Sequence, residues 1–375
     1  MQSFTDEHEE LRATVRQLLA DNSDEQAVRA HMASDRGYDA DVWAQLADQM
    51  GLAGLIIPED HGGAGFGFAE LCVVAEEMGR ALLCAPFLST AVMSAGALLL
   101  CANDDAKAAH LSSIAAGEKT ATLAYADTNG RWDLAGIEMT TQEKDGTWLL
   151  EGSKGWVLDG HTADLILVVA RTREGLELFE VESGAAGLKR EVIPALDLTR
   201  SLSRLEFTGT KAVKLSDGDQ TEGLERVLAL THSALAAEQV GGAQWCLDTA
   251  VGYAKSRLQF GRPIGSYQSI KHKCADLLLD VEFAKAAAYN ACFLAADCLE
   301  TGEGWDEAVE YAHLAKSFCS EAFYHTAAEN IQIHGGMGFT WEHPAHLYFK
   351  RAKASDLLFG DAAHHREALA DCLGL

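Results

Sequence analysis

The hydrophobic period of this chain changes twice, and that alone divides it into three differently built segments. Near the start, Leu11, Val15, Leu18 and Leu19 recur at the spacing of one helix face, and Asp6, Glu7 and Glu9 lie where a helix N-terminus favours negative charge. The same spacing predicts helices over 41–50, 69–80, 90–100 and 105–116. From about residue 120 the period becomes that of strands: TWLLEG, KGWVL, DLILVVAR, GLELFEV, SRLEFTG and KAVKL are short runs parted by Gly, Asp and Ser, and Asp145-Gly146 is a tight-turn pair. After Asp219 the chain returns to helix in long Ala- and Leu-rich stretches over 222–258, 267–300, 306–335 and 361–372. The expectation is an α+β chain, mostly α: a helical segment 1–118, a middle β sheet or barrel 119–218 and a C-terminal helical bundle 219–375.

Charge and cysteine usage narrow the function classes. A formal net charge of -26 opposes a nucleic-acid partner, so an anionic ligand must be met by local arginines. Nine cysteines without a C-x-x-C pair read as buried thiols of a cytoplasmic protein, with no disulfide frame and no zinc set among them. The stretch MQSFTDEHEELR is acidic where a signal peptide is basic. The apolar run FLSTAVMSAGALLLCA is too short to span a bilayer.

Two C-terminal stretches carry chemistry. In RLQFGRPIGSYQ, Arg257 and Phe260 are three residues apart at a helix end, Gly261, Pro263 and Gly265 break the helix, and Gln268 restarts the next one. A forked guanidinium, an aromatic ring and an amide suit a pyrophosphate beside an adenine; a helix hairpin with a buried Phe would use the same residues. In QIHGGMGF, Gln332 precedes Gly335, Gly336 and Gly338, whose small size lets an anion approach backbone N–H groups.

Together these two motifs resemble the acyl-CoA dehydrogenase family. The likeness extends along the chain through GLAGLIIPEDHGGAG, LEGSKGWVLDG and GFTWEHPAHLYFKRA. The last is similar to members associated with bacterial breakdown of steroids and other bulky acyl-CoA thioesters. The resemblance implies FAD as cofactor, an acyl-CoA substrate, a helical, β, four-helix domain order and electron-transfer flavoprotein as a candidate partner. It also implies that Arg257, Phe260, Gln268, Gln332, Gly335 and Gly336 hold the FAD of a neighbouring subunit, hence an oligomer, and that Trp156 belongs to the flavin site of the middle segment.

The family reaction takes a proton from the α carbon of a thioester while hydride leaves the β carbon for the flavin. The proton needs a carboxylate. The Glu of the family's Y-E-G-T motif aligns with Phe359, and the alternative seat on the first long C-terminal helix aligns with Thr231. Asp361 and Glu238 are the candidate catalytic substitutes. Each has a structural reading, Asp361 as the cap of the helix beginning AAHHREAL and Glu238 in an ion pair. His364 and His365 diverge on a helix, His343 and His346 flank Pro344 without a carboxylate set, and no metal site is expected from these four, which read as surface or capping residues.

The flavin clamp departs from the family too. Where the family reads T-E-P-G-A-G-S-D, this chain runs from Ala126 to Asp133 with Trp132 in place of the Ser, and Leu158 stands where a Thr commonly meets the flavin. The expectation is a base-lacking subunit of a heteromeric acyl-CoA dehydrogenase, in a heterotetramer with a second family member. The alternative is a self-associating enzyme with an unusual base such as Asp361.

Overall fold

The structure is a computed structural model and describes residues 4–375. Before the strands come α1 (Asp6–Asn22), α2 (Glu25–Met32), α3 (Ala40–Ala44), α4 (Phe68–Arg80), α5 (Ala95–Cys101) and α6 (Asp104–Ala115). The middle segment holds β1 (Ala121–Ala124), β2 (Thr140–Lys144), β3 (Thr147–Leu158), β4 (Leu165–Arg171), β5 (Leu176–Glu182), β6 (Leu188–Val192) and β7 (Leu202–Lys214). Then follow α7 (Thr221–Ser256), a short hairpin of β8 (Leu258–Gln259) and β9 (Arg262–Pro263), α8 (Gln268–Thr301), α9 (Trp305–His334), α10 (Ala345–Leu357) and α11 (Ala362–Cys372).

The helices start where side chains satisfy free backbone donors. Thr5 accepts from the His8 N–H before α1, Asp39 accepts from Asp41 and Val42 before α3, and Asn103 accepts from Ala106 before α6. Two of the expected helices are irregular, since α3 runs into a π-helical turn over Gln45–Gln49 and α5 is preceded by one over Leu88–Ser94. Helices α2 and α10 have no counterpart in the expectation from spacing.

The chain divides into two compact units, each described by itself: one of residues 4–30, 72–83 and 232–375, the other of 31–71 and 84–231. In the second unit the strands pair in the order β4, β2, β3, β7, β5, and β5 returns to β4, so the sheet closes on itself while β1 extends it in parallel from β4. Its interior is filled by Leu150, Val157, Ile166, Val168, Phe179, Leu205 and Phe207, all 3% exposed or less. Inside this barrel wall Lys154 is fully buried. Its Nζ donates to Asp127 Oδ1 at 2.6 Å and to the Tyr125 carbonyl at 2.7 Å, while Asp127 Oδ2 accepts from the Glu138 and Met139 N–H groups. The pair ties the 125–139 segment to β3.

In the first unit small residues let helices touch backbone to backbone. A Cβ on Gly79 of α4 would sit 1.9 Å from the Glu238 carbonyl oxygen of α7, and one on Gly241 would sit 1.8 Å from that of Glu76. Glycine is therefore required on both sides of this crossing. Ala236, Val240, Ala284, Ala288, Ala291, Ala315, Cys319 and Ala322 form the core between α7, α8 and α9. Arg12 and Arg16 tie α1 to α4 through Glu76 and Glu77 at 2.7 and 2.6 Å.

Candidate functional site

The two motifs of the C-terminal region meet at one end of the helical unit. Tyr253, one turn from the end of α7, stacks on His334, the last residue of α9, with ring centroids 4.3 Å apart and planes 28° apart. Arg257 follows at once, its N–H donating to the Tyr253 carbonyl at 2.8 Å, and Gly335 follows His334. Phe260 is not the buried ring that a plain helix hairpin would contain. It is 92% exposed and held at φ +53 by the β8–β9 turn. Gln268 opens α8 beside Tyr267, whose ring carries the Arg262 guanidinium at 4.0 Å.

Across the stack, Gln332 is exposed and its carbonyl accepts from the Gly335 N–H, which turns the chain at φ +61. A Cβ on Gly335 or Gly336 would meet nothing within 4 Å, whereas one on Gly338 would strike the Ile331 carbonyl. The first two glycines thus border open space and the third serves packing. Chemically the end of this unit offers a forked cation, an exposed aromatic ring and approachable backbone donors, which suits a dinucleotide's pyrophosphate and base. Leu258, Phe339 and Trp341 are also exposed there, at 61%, 85% and 60%.

The positions expected to align with the family's carboxylate hold no acidic side chain. Phe359 is 2% exposed and sits at φ +64 in the turn between α10 and α11, its ring 6.2 Å from that of His232. Thr231 is fully buried, and its hydroxyl donates to the Val227 carbonyl at 2.8 Å, within its own helix. Asp361 is exposed and caps α11, accepting from the His364 N–H at 2.9 Å. Glu238 accepts from Arg351 Nη1 at 2.7 Å, with both side chains largely buried. Neither carboxylate is presented as an uncommitted base.

In the β unit Trp156 lies at φ +51 in a bulge where the β3–β7 register shifts. Its ring packs 5.6 Å from that of Trp132. Leu158 is buried, and its carbonyl accepts from the Thr122 hydroxyl. The Trp132 indole thus fills the space beside Trp156.

One histidine departs from the expectation. His365 is fully buried and joins His232 of α7 and His313 of α9. His313 and His365 share a hydrogen bond between their Nδ1 atoms at 2.8 Å, and the His232 and His365 rings lie 4.6 Å apart, edge to face. Burial pushes all three below the ordinary histidine range, His313 to about 4 and His365 to about 2. Linear spacing does not reveal the group because each member comes from a different helix. The signal available was a histidine on an apolar helix face in THSALAA and in YAHLAKSF.

The fold and these motifs define a class, the flavin-dependent oxidoreductases that dehydrogenate acyl thioesters. Matches to the acyl-CoA dehydrogenase N-terminal, middle and C-terminal domains span residues 5–118, 122–209 and 224–374. The chain belongs to the acyl-CoA dehydrogenase family and its cofactor is FAD. It is 37% identical over 350 residues to the acyl-CoA dehydrogenase IpdE2 of Mycobacterium tuberculosis, covering 93% of this chain and 92% of that protein. Its fold matches the Tcur3481-Tcur3483 steroid ACAD G363A variant with a TM-score of 0.88, 29% identity and 98% of each chain covered. The ChsE4-ChsE5 complex from Mycobacterium tuberculosis matches with a TM-score of 0.89 and 26% identity, over 100% of this chain and 99% of that one. Among the described residues no helix is long and apolar enough to cross a membrane.

Proposed function

We propose that this chain is the base-lacking subunit of a heteromeric acyl-CoA dehydrogenase, lending contacts to FAD in a neighbour's active site. The observation that carries this is the buried Phe359 in the seat of the family's Glu, with Asp361 committed to capping α11 and Glu238 to Arg351. When bound, FAD supplies the hydride acceptor, and a carboxylate must take the α proton. Phenylalanine accepts no proton, and loss of a general base costs roughly a hundred- to ten-thousand-fold in rate.

The lending end is the better preserved half. Arg257 would fork onto the pyrophosphate, Phe260 would cover the adenine, Gln268 and Gln332 would offer amides, and Gly335 and Gly336 would admit phosphate to the backbone. The exposure of Phe260 and Phe339 supports a surface completed by another subunit. The same holds for Leu278, Leu279 and Phe283 of α8, which are 48%, 56% and 61% exposed. The pairing of Trp132 with Trp156 supports a flavin-ring clamp of this chain's own that is filled by indole. A bulky, steroid-type acyl-CoA is the substrate class of the complex, on the likeness to the steroid ACAD and ChsE4-ChsE5 structures; the ChsE4-ChsE5 complex supports a heteromer, and a heterotetramer is the form proposed here. Electron-transfer flavoprotein is the proposed acceptor, and the cytoplasm the proposed location.

The test is turnover with an artificial electron acceptor, first with this chain alone and then with a second family member that retains its Glu. The proposal expects dehydrogenation only in the second case. Turnover by this chain alone, abolished in Asp361→Asn, would instead establish a self-associating enzyme with Asp361 as base.

A further inference from the structure

The group formed by His232, His313 and His365 is not used by the function proposed above. Three long or terminal helices, α7, α9 and α11, each contribute one imidazole, and one ring nitrogen from each lies within 4.8 Å of the other two. His232 and His365 are 5% and 0% exposed, and His313 is half-buried. Among the described residues His365 Nε2 is buried without a hydrogen-bond partner, a costly arrangement for a polar atom. If His365 donates its Nδ1 proton to His313, the lone pair on Nε2 has no donor, which is the state a metal ligand requires.

We propose that these three histidines form a binding site for one borderline first-row transition-metal ion, with zinc as the representative. Three nitrogens with no carboxylate or thiolate select zinc, cobalt, nickel or copper over magnesium and calcium, which need oxygen ligands. Zinc sits about 2.0–2.1 Å from imidazole nitrogen, so ligand atoms on one tetrahedral ion are roughly 3.4 Å apart. The nitrogens already lie within 4.8 Å of one another, close to that spacing.

The buried ammonium of Lys316 acts against a dication. Lys316 is fully buried, but its ammonium is committed to Ser320 Oγ and to the Asp356 and Gly360 carbonyls. The fourth position is therefore filled by a small anion such as hydroxide or chloride, which offsets the charge. Bound metal would clamp α11 to α7 and α9.

The probe is Co²⁺ titrated into the intact metal-free chain, read by its visible tetrahedral bands, followed by Zn²⁺ competition and metal counting after dialysis. One ion per chain is expected, with a rise in melting temperature. His313→Gln, on the half-buried member, should weaken binding by more than the roughly tenfold to hundredfold that loss of a supporting contact costs. His325→Gln, on an exposed histidine paired with Asp280, should bind as the wild type does. Absence of tetrahedral cobalt bands in the wild type overturns the proposal without any variant, as does retention of metal by His313→Gln together with its loss in His325→Gln.

Discussion

The ring of Tyr253 stacks on that of His334 at 4.3 Å, and this contact fixes the end of α7 against the end of α9. Arg257 and Gly335, one turn and one residue further on, are placed relative to each other by it. Stacked aromatic pairs contribute about 0.5–1.5 kcal/mol beyond their buried area. In Tyr253→Ala we expect lowered stability and, in the assembled complex, reduced FAD retention on gel filtration. Tyr253→Phe should retain both. Equal retention by all three forms would show that the stack does not position the lending loops.

Arg257→Ala removes a forked donor without touching packing, because the side chain is exposed. Charge-assisted bonds of this kind contribute about 1.5–3 kcal/mol, so FAD affinity of the complex should fall roughly ten- to a hundredfold. Fluorescence titration of FAD into the flavin-stripped complex measures it. Arg257→Lys should recover only part of the loss, since an ammonium has no fork.

Asp361→Ala removes the cap of α11 and should cost about 1 kcal/mol in urea unfolding, whereas Asp361→Asn, also a good cap, should cost little. Turnover of the complex should be unchanged in both. A collapse of turnover with stability intact would make Asp361 a base.

Much of this was legible in the sequence, and the limits have physical causes. The change of period marks the strands of the barrel because alternation along a strand and recurrence along a helix are local properties. The closure of β5 onto β4 and the Gly79–Gly241 crossing are relations between distant residues, which no local pattern encodes. The family resemblance could be read because the glycines and the Arg257–Phe260 pair lie close together in sequence. The histidine group could not, since His232, His313 and His365 meet only when three helices pack. The burial of Lys154 is another relation between distant residues: Asp127, itself bonded to two backbone N–H groups, makes it tolerable.

That lysine gives a pH prediction. Burial pushes the Lys154 ammonium down to about 8 against the pull of Asp127. An unfolded-chain lysine keeps its proton to about 10.4, so between these values the unfolded state binds more protons than the folded one. Stability from this group therefore rises with pH across that window and is smallest below it. Relative to Lys154→Met, the wild type should gain on the order of 1 kcal/mol per pH unit between about pH 8 and 10 in urea unfolding. A difference that stays constant or shrinks would contradict the shift.

The central claim, that this chain lends to a neighbour's flavin and holds none for its own catalysis, is tested most directly by counting flavin. The chain is purified alone and then together with a second family member that retains its Glu, and FAD absorbance is set against protein in each. The account predicts little FAD on the chain alone and one FAD for each pair of unlike chains in the complex. Near one FAD per chain on the chain alone, with acyl-CoA turnover, would contradict it.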